Sequence, residues 1–246
     1  MKTSVTSRRI SLCWSPRLFA IGAVIWVALT SVFPARGQVE AGYYAFTGDS
    51  LASSSTYSNA IASNIAAGPG LSGNTEFDSN SGSTELGVYS GNLPTSEAAA
   101  ITGSDYISFT ITPTSGTLSY SSVFFNIDVE AFENATAFTG SISVRSSIDG
   151  FTADLLTGTG GPFTSGGNNE DSGAGSGPLS LAAQSGSVEF RFYFYDDQND
   201  DSLNTISIDN ITVMAIPVPE TSPWFDVIMA AGGLILTRNP KLLGAR

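Results

Sequence analysis

Aspartates are concentrated in one short segment near the C-terminal end of the chain. Within 14 positions, the segment YDDQNDDSLNTISIDN contains five of them: Asp196, Asp197, Asp200, Asp201 and Asp209. Calcium takes roughly six to eight hard oxygen ligands, which an Asp/Asn-rich turn can supply from carboxylates and backbone carbonyls. We therefore predict a structural calcium ion that joins this turn to Asp209, together with Asp49 or Glu40 from the first strand. The alternative is a solvated hairpin tip, because Asp and Asn favour turns without any metal.

Tyrosines form a second candidate site, for a sugar ring. In VEFRFYFYD the phenylalanines alternate with Tyr193 and Tyr195, which are predicted to point outward, where Tyr106 and Tyr120 could join them. Exposed aromatic rings stack on sugars while polar groups bind the hydroxyls. Every tryptophan lies in a terminal segment, and strands favour tyrosine for cross-strand packing alone. Packing is therefore the favoured explanation of these tyrosines, with sugar binding as the alternative.

Paired carboxylates could also hydrolyse a glycosidic bond. Glycosidases place two of them about 5–9.5 Å apart in a cleft, and Asp128 with Glu130, or Glu130 with Glu133, could be so placed. The chain has no histidine, which removes the commonest general base and zinc ligand. Its single cysteine, Cys13, lies close to the N-terminus, so a thiol nucleophile or disulfide is excluded from the rest. We predict a non-catalytic protein, with a glycoside hydrolase or polysaccharide lyase as the alternative.

The first 37 residues predict a secretory signal peptide. Basic residues up to Arg17 precede the apolar run LFAIGAVIWVALTSVF, and Ala35-Arg36-Gly37 fits cleavage before Gln38. The run is shorter than the roughly 20 apolar residues of a comfortable membrane span. Cleavage is therefore favoured over an anchor helix, and the mature protein is expected outside the cytoplasm.

The body of the chain, residues 38–217, is strongly acidic. It holds two basic residues, Arg145 and Arg191, against 20 of the 22 acidic residues, a net charge of −18. Such a surface repels phosphate backbones, so nucleic acid is excluded as a partner. It suits divalent cations, or solubility outside the cell.

Most of the body predicts half-buried antiparallel strands. Apolar residues alternate with polar ones in YISFTITP, SVFFNIDVEAF, GSISVRSS and GSVEFRFYFYD, and Gly, Ser, Pro or Asn bound each run. Residues 96–101 could make one helical turn. Residues 157–180 are rich in Gly and Ser and predict a long mobile loop. The predicted fold class is all-β, an antiparallel two-sheet β-sandwich of jelly-roll type spanning residues 38–216.

One predicted strand changes phase in its middle. In NTISIDNITVMAI, Ile206 and Ile208 share one phase, whereas Ile211 and Val213 take the opposite one. Such a change needs an extra residue, so we predict a β-bulge near Asp209-Asn210.

The C-terminal segment, residues 217–246, differs from the body again. Pro217 and Pro219 are predicted to end the last strand, because proline cannot donate to the ladder. A short apolar helix is predicted over residues 224–236, followed by Arg238, Lys241 and Arg246. This run is marginal for spanning a bilayer.

The tail resembles the PEP-CTERM sorting signal of exported Gram-negative proteins. Val218, Pro219 and Glu220 match the turn of that signal, residues 224–236 its helix, and Arg238 and Lys241 its basic stop. The resemblance implies that the tail holds the protein in the inner membrane until an exosortase-type enzyme removes it. The body, through motifs such as YYAFTGDSLA and ISIDNITV, resembles exported proteins with a carbohydrate-binding-module-like jelly roll.

Together these features predict an exported protein of the cell surface or extracellular matrix, at least transiently anchored in a membrane by its C-terminus. The expected partners are the export machinery, an exosortase-type processing enzyme and extracellular polysaccharide. A calcium-dependent carbohydrate-binding or adhesive module is the principal alternative.

Overall fold

The computed structural model describes residues 37–78, 84–89, 93–131, 138–162, 171–179, 181–198 and 204–218. Its elements lie in the compact unit Gln38–Arg246. The described residues form twelve strands: β1 (Val39–Tyr44), β2 (Ala60–Ala62), β3 (Ala66–Ala67), β4 (Thr75–Asp78), β5 (Glu85–Tyr89), β6 (Tyr106–Pro113), β7 (Thr117–Ala131), β8 (Gly140–Ser146), β9 (Leu156–Gly160), β10 (Asp171–Pro178), β11 (Val188–Asp196) and β12 (Asn204–Val218). They also form one helix, α1 (Glu97–Gly103), and 3-10 turns at Pro69–Leu71 and Ser147–Asp149.

The strands form one antiparallel sheet that curls back on itself. The strand order is β2-β6-β11-β8-β9-β10-β7-β12-β5-β4, with β1 paired to β12 and β3 to β6. Although three strands separate β11 from β7 in this order, their rings meet across the interior. Tyr120 lies 5.3 Å from Phe190, and Phe125 lies 5.4 Å from Phe192, between ring centroids. The prediction of an all-β antiparallel fold is confirmed.

The core fills the space between the two facing halves of the sheet. The apolar positions of the alternating segments are almost fully buried, as predicted: Ile107, Phe109, Ile111, Val123, Phe125, Ile127, Val129, Ile142, Val144, Val188, Phe190, Phe192 and Phe194. Burial of each large side chain stabilises the fold by about 1.5–3 kcal/mol relative to leaving it exposed. The polar residues between them consequently point away from the core, which determines the composition of the outer faces.

Strand β12 contains the predicted bulge. Its register with β7 shifts between Asp209 and Thr212, and Asn210 adopts a left-handed conformation with φ of 53°. The extra residue allows Ile208 and Ile211 to be fully buried on the same side of the strand. The bulge prediction is confirmed.

The helical turn is confirmed, with slightly later bounds. Ser96 caps α1, since its hydroxyl accepts a hydrogen bond from the backbone N–H of Ala99 at 3.4 Å. Within the described residues, α1 is too short and too polar to count as a membrane-crossing helix, and none of the other helical segments qualifies either. The predicted terminal helices fall in residues 1–36 and 219–246, outside the described residues.

The prediction of a mobile loop over residues 157–180 is wrong where the structure describes it. This segment contains most of β9 and all of β10, whose register partner is β7. Gly173, Gly175 and Gly177 occupy the inward positions opposite Ile127, Phe125 and Val123. A Cβ atom at Gly175 would lie 2.1 Å from the Phe125 ring, so glycine here makes room for a core aromatic.

The predicted end of the last strand is also corrected. β12 continues to Val218, and Pro217 pairs with Leu118 of β7. The ladder between β1 and β12 ends at the Val39–Ala215 pair, so Pro217 lies where β12 has an open edge and needs no donor on that side.

Candidate functional site

The outer surface of β5, β12 and β7 carries a continuous polar band. Because Ile206 and Ile208 point into the core, the alternating residues of β12 point outward, and the same rule applies to β5 and β7. Ser207 lies opposite Asp128 on one side and opposite Gly87 on the other. We call this band the acidic face; it consists of Glu85, Asp128, Glu130, Thr205, Ser207 and Asp209.

The acidic face is deeply recessed at one end. Glu85, Thr205 and Asp209 are only 3%, 1% and 5% exposed. Exposure rises along β7, from the half-buried Asp128 to Phe124, whose side chain is 44% exposed. The acidic face therefore consists largely of buried polar groups, and the exposed ring of Phe124 lies beyond it on β7.

Glu85 of β5 and Asp128 of β7 belong to strands on either side of β12. Burial raises the pKa of Asp128, and a side-chain hydrogen bond with Glu85 acts in the opposite direction. Burial therefore favours the uncharged form of the Asp128 carboxyl group, whereas Glu85 favours its charged form.

The two arginines of the described residues form ion pairs with carboxylates elsewhere in the sheet. Arg145 pairs with Glu97 and Asp154 at 2.7 Å each, and Arg191 pairs with Glu189 at 2.7 Å. All of these residues belong to α1, β8, β11 and the β8–β9 connection, in the half of the sheet that faces away from the acidic face. Both arginines of the described residues are therefore paired away from the acidic face.

Thr205 has a buried hydroxyl group that makes no hydrogen bond among the described residues. Its Oγ1 has no hydrogen-bond partner within the described part of the structure. Leaving such a group buried and unpaired costs about 1–3 kcal/mol. Thr205 lies opposite Glu130 on the acidic face.

The β12 bulge connects the acidic face to its aromatic end. Asp209 accepts a hydrogen bond from the backbone N–H of Asn210 at 2.6 Å. The side-chain oxygen of Asn210 in turn accepts one from the Tyr43 hydroxyl at 2.7 Å. Tyr43 and Phe124 are the register partners of Thr212 on β1 and β7, so the two rings flank it.

The residues of the predicted calcium site are used in other ways or lie outside the described residues. Asp196 accepts a hydrogen bond from the backbone of Gln198 at 3.1 Å, and Asp197 accepts one from Thr139 at 2.7 Å. Asp49 is exposed in the connection after β1. Asp200 and Asp201 lie outside the described residues. Within those residues, no three acidic side chains converge as a metal site would require; the calcium ion stays a prediction.

The predicted tyrosine platform is corrected at two positions. Tyr193 is 2% exposed and meets Tyr106 at 5.2 Å, so it does not point into solvent. Helix α1 packs against β11. Tyr120 lies in the core, 1% exposed. Tyr195 is half-buried, and burial raises its pKa; its role in ligand binding stays a prediction.

Comparisons with known proteins give distant structural likenesses. No family model matches the chain, and no curated protein matches it. It is similar to the mannan-recognising carbohydrate-binding module TmCBM27, at a TM-score of 0.33 and 14% identity over 72% of this chain and 98% of that one. It is also similar to TmCBM61, solved in complex with β-1,4-galactotriose, at a TM-score of 0.33 and 9% identity over 69% of this chain and 92% of that one. For a family 11 carbohydrate-binding module from Clostridium thermocellum, the TM-score is 0.27 and the identity 12%, over 76% of this chain and 100% of that one.

Proposed function

We propose that this chain is an exported, non-catalytic protein of the cell surface or extracellular matrix that binds an uncharged polysaccharide through its acidic face and Phe124. The observation that carries the proposal is the alignment of an exposed aromatic ring with buried carboxyl and hydroxyl groups along one outer face. Sugars offer an apolar ring face to aromatics and a row of hydroxyls to polar acceptors.

The charge of the body supports an uncharged ligand. Residues 38–217 carry a net charge of −18, and the arginines Arg145 and Arg191 are already paired with carboxylates elsewhere in the sheet. An anionic polysaccharide would meet like charge over the whole surface. Hydroxyl groups, by contrast, can donate hydrogen bonds to the carboxylates.

The proposal includes the ends of the chain and the finer architecture. The curled sheet would form a two-sheet jelly-roll sandwich over residues 38–216. Residues 1–37 would be a signal peptide, and residues 217–246 would be a sorting tail that an exosortase-type enzyme recognises. Fractionating the native host and mapping both termini of the protein by mass spectrometry tests this part. Recovery of the intact chain from the cytosol would refute it.

Phe124→Ala should weaken polysaccharide binding about tenfold, which corresponds to about 1.4 kcal/mol. The exposed ring is the one large apolar group on the outer face of β7 next to the acidic residues, and its stacking contact would be lost. Affinity electrophoresis against neutral glucans, mannans and xylans, followed by calorimetry on those retained, measures the change. Ile61→Ala is the matched control, because Ile61 is 62% exposed on β2, away from the acidic face.

The controls for this experiment also test the ligand class. Ile61→Ala should bind like the unchanged protein, and alginate or pectate should not be retained. Retention of the anionic polymers alone, retention of none, or equal binding by the Phe124 and Ile61 variants would contradict the proposed function.

Thr205→Val should stabilise the protein. Valine has nearly the same shape, so the change removes the buried, unpaired hydroxyl and should raise the free energy of unfolding by about 1 kcal/mol. Thermal melting measures the effect.

Ser146→Ala is the companion variant. Ser146 also has a buried hydroxyl without a described partner, and it lies on β8 opposite Phe190 of β11. It should gain stability as well. A Thr205→Val protein that melts at a lower temperature than the unchanged protein would contradict the prediction.

A further inference from the structure

Two aromatic side chains flank Thr212 on the outer surface of the sheet. Thr212 of β12 is the register partner of Tyr43 on β1 and of Phe124 on β7. The residues that follow them in their strands, Tyr44 and Phe125, are buried in the core, so both aromatic residues of the row point outward. Two strand spacings place their backbones about 10 Å apart, in a row that crosses the strands.

The Tyr43 ring is held in place on this surface. Its hydroxyl donates a hydrogen bond of 2.7 Å to Oδ1 of Asn210, which lies in the β12 bulge and has a left-handed backbone with φ of 53°. The ring therefore leans toward β12 and is fixed at both of its ends. An aromatic ring that is fixed before the ligand arrives loses less conformational entropy on binding.

Polar side chains border the row in both directions along the strands. On one side, Asn126 of β7 is exposed. On the other side, the exposed Gln38 donates a hydrogen bond from Nε2 to Oγ of Ser122 at 3.2 Å, and Glu40 lies half-buried on β1. Amide groups can both donate and accept hydrogen bonds, as sugar hydroxyls require. The Glu40 carboxylate favours a ligand that carries hydroxyl groups over one that carries anionic groups.

We propose that Tyr43 and Phe124 form a two-ring platform on which a linear, neutral glycan lies across β1, β12 and β7, so that recognition needs several consecutive sugar units. This inference rests on the proposed function and adds to it a second aromatic residue, the direction of the bound chain and a minimum length. One pyranose ring cannot stack on two aromatic residues whose backbones lie about 10 Å apart, whereas successive units of an extended polymer can reach both.

The length dependence of binding tests the platform. Calorimetry on the full chain would use linear gluco-, manno- and xylo-oligosaccharides, from the disaccharide to the hexasaccharide, with nuclear magnetic resonance titration for the weakest. The affinity of the unchanged protein should rise steeply with length until both rings are reached. Tyr43→Ala should bind the hexasaccharide about tenfold more weakly, since it loses one of two aromatic contacts. Its affinity for the disaccharide should change little, because that ligand can still stack on Phe124.

Three further variants control this measurement. Tyr43→Phe keeps the ring and should retain more hexasaccharide affinity than Tyr43→Ala; equal losses in both would overturn stacking on this ring. Thr212→Arg places a long side chain between the rings and should also weaken hexasaccharide binding, which keeps the test decisive if Tyr43→Ala fails to fold. Tyr106→Ala is the matched control, because Tyr106 is a half-buried tyrosine on β6, in the other half of the sheet. It should bind like the unchanged protein.

The outcomes separate the platform from the proposed function. If hexasaccharide binding depends on Phe124 but is unchanged in Tyr43→Ala and Thr212→Arg, the platform is wrong while the proposed function stands. Equal affinity for the disaccharide and the hexasaccharide has the same meaning, since one ring would then be sufficient. If Tyr106→Ala alone loses binding, the ligand lies on the other half of the sheet, and both proposals are wrong. Both also fail if no neutral glycan binds.

Discussion

Phe192→Ala is expected to lower the free energy of unfolding by about 3–5 kcal/mol, the usual cost of removing a buried phenylalanine. The Phe192 side chain is fully buried. Its ring contacts Phe109 of β6 at 5.7 Å and Phe125 of β7 at 5.4 Å between centroids. It therefore joins the two facing halves of the curled sheet, and its loss leaves a cavity between them. Urea denaturation followed by circular dichroism measures the effect.

Phe124→Ala provides the contrasting variant for this measurement. It removes the same side chain from an exposed position on β7, so its stability should change by no more than about 0.5 kcal/mol. The two variants should thus show opposite behaviour, with Phe192 needed for the fold and Phe124 for the ligand. Equal destabilisation by both would mean that β11 and β7 do not pack as described.

Gly175→Ala should destabilise the protein by about 1–3 kcal/mol, although it adds a single methyl group. The added carbon would lie 2.1 Å from the Phe125 ring, which is itself 2% exposed and packed on Phe192. The ring cannot rotate away without disturbing the core, so β10 must separate from β7. Thermal melting measures the loss.

Gly177→Ala is the matched control in the same strand. There the added carbon would meet Leu156 at 3.5 Å, an ordinary contact, and alanine costs less backbone entropy on folding. This variant should be as stable as the unchanged protein or slightly more so. If both alanine variants melt together, the interpretation of β10 as a glycine-lined strand fails.

Local periodicity was sufficient to predict the strands that build the core. In β6 burial alternates from residue to residue, and in β8 and β11 the buried apolar positions recur at every second residue, a pattern that is visible in the letters alone. The β12 bulge was equally visible, because Ile208 and Ile211 can be buried on one side of the strand only if one residue is inserted between them. These features depend on neighbours within one segment.

Features that depend on distant partners could not be predicted in this way. β10 shows no apolar alternation, since its inward positions are glycines that accommodate side chains of β7. A signal was present, because Gly173, Gly175 and Gly177 recur with the period of a strand, but Gly-rich sequence is also typical of loops. Tyr193 was expected outside because alternation does not show that α1 packs against β11 or that the Tyr106 ring contacts Tyr193.

The acidic face was missed for the same reason. Asp128 and Glu130 were noted as a candidate pair on one strand, but the residue that acts to lower the pKa of Asp128 is Glu85, which lies 43 positions earlier in the chain. Only the strand order places β5 and β7 on either side of β12. Phe124 was readable as an outward residue of SVFFNIDVEAF, although nothing in that segment showed which polar groups would share its face.

The position of β12 between β1 and β7 has a mechanical consequence. A pull applied between residue 39 and residue 218 would load the β1–β12 hydrogen bonds one pair after another, because the paired ends Val39 and Ala215 lie side by side. Such peeling needs little force. A pull between Val218 and a ligand resting on Phe124 would instead run lengthwise along the ladder that joins β12 to β7 and would strain many of its bonds together. A protein held at its C-terminal end and bound to a polymer through β7 would therefore be pulled along this ladder, the direction in which many hydrogen bonds resist together.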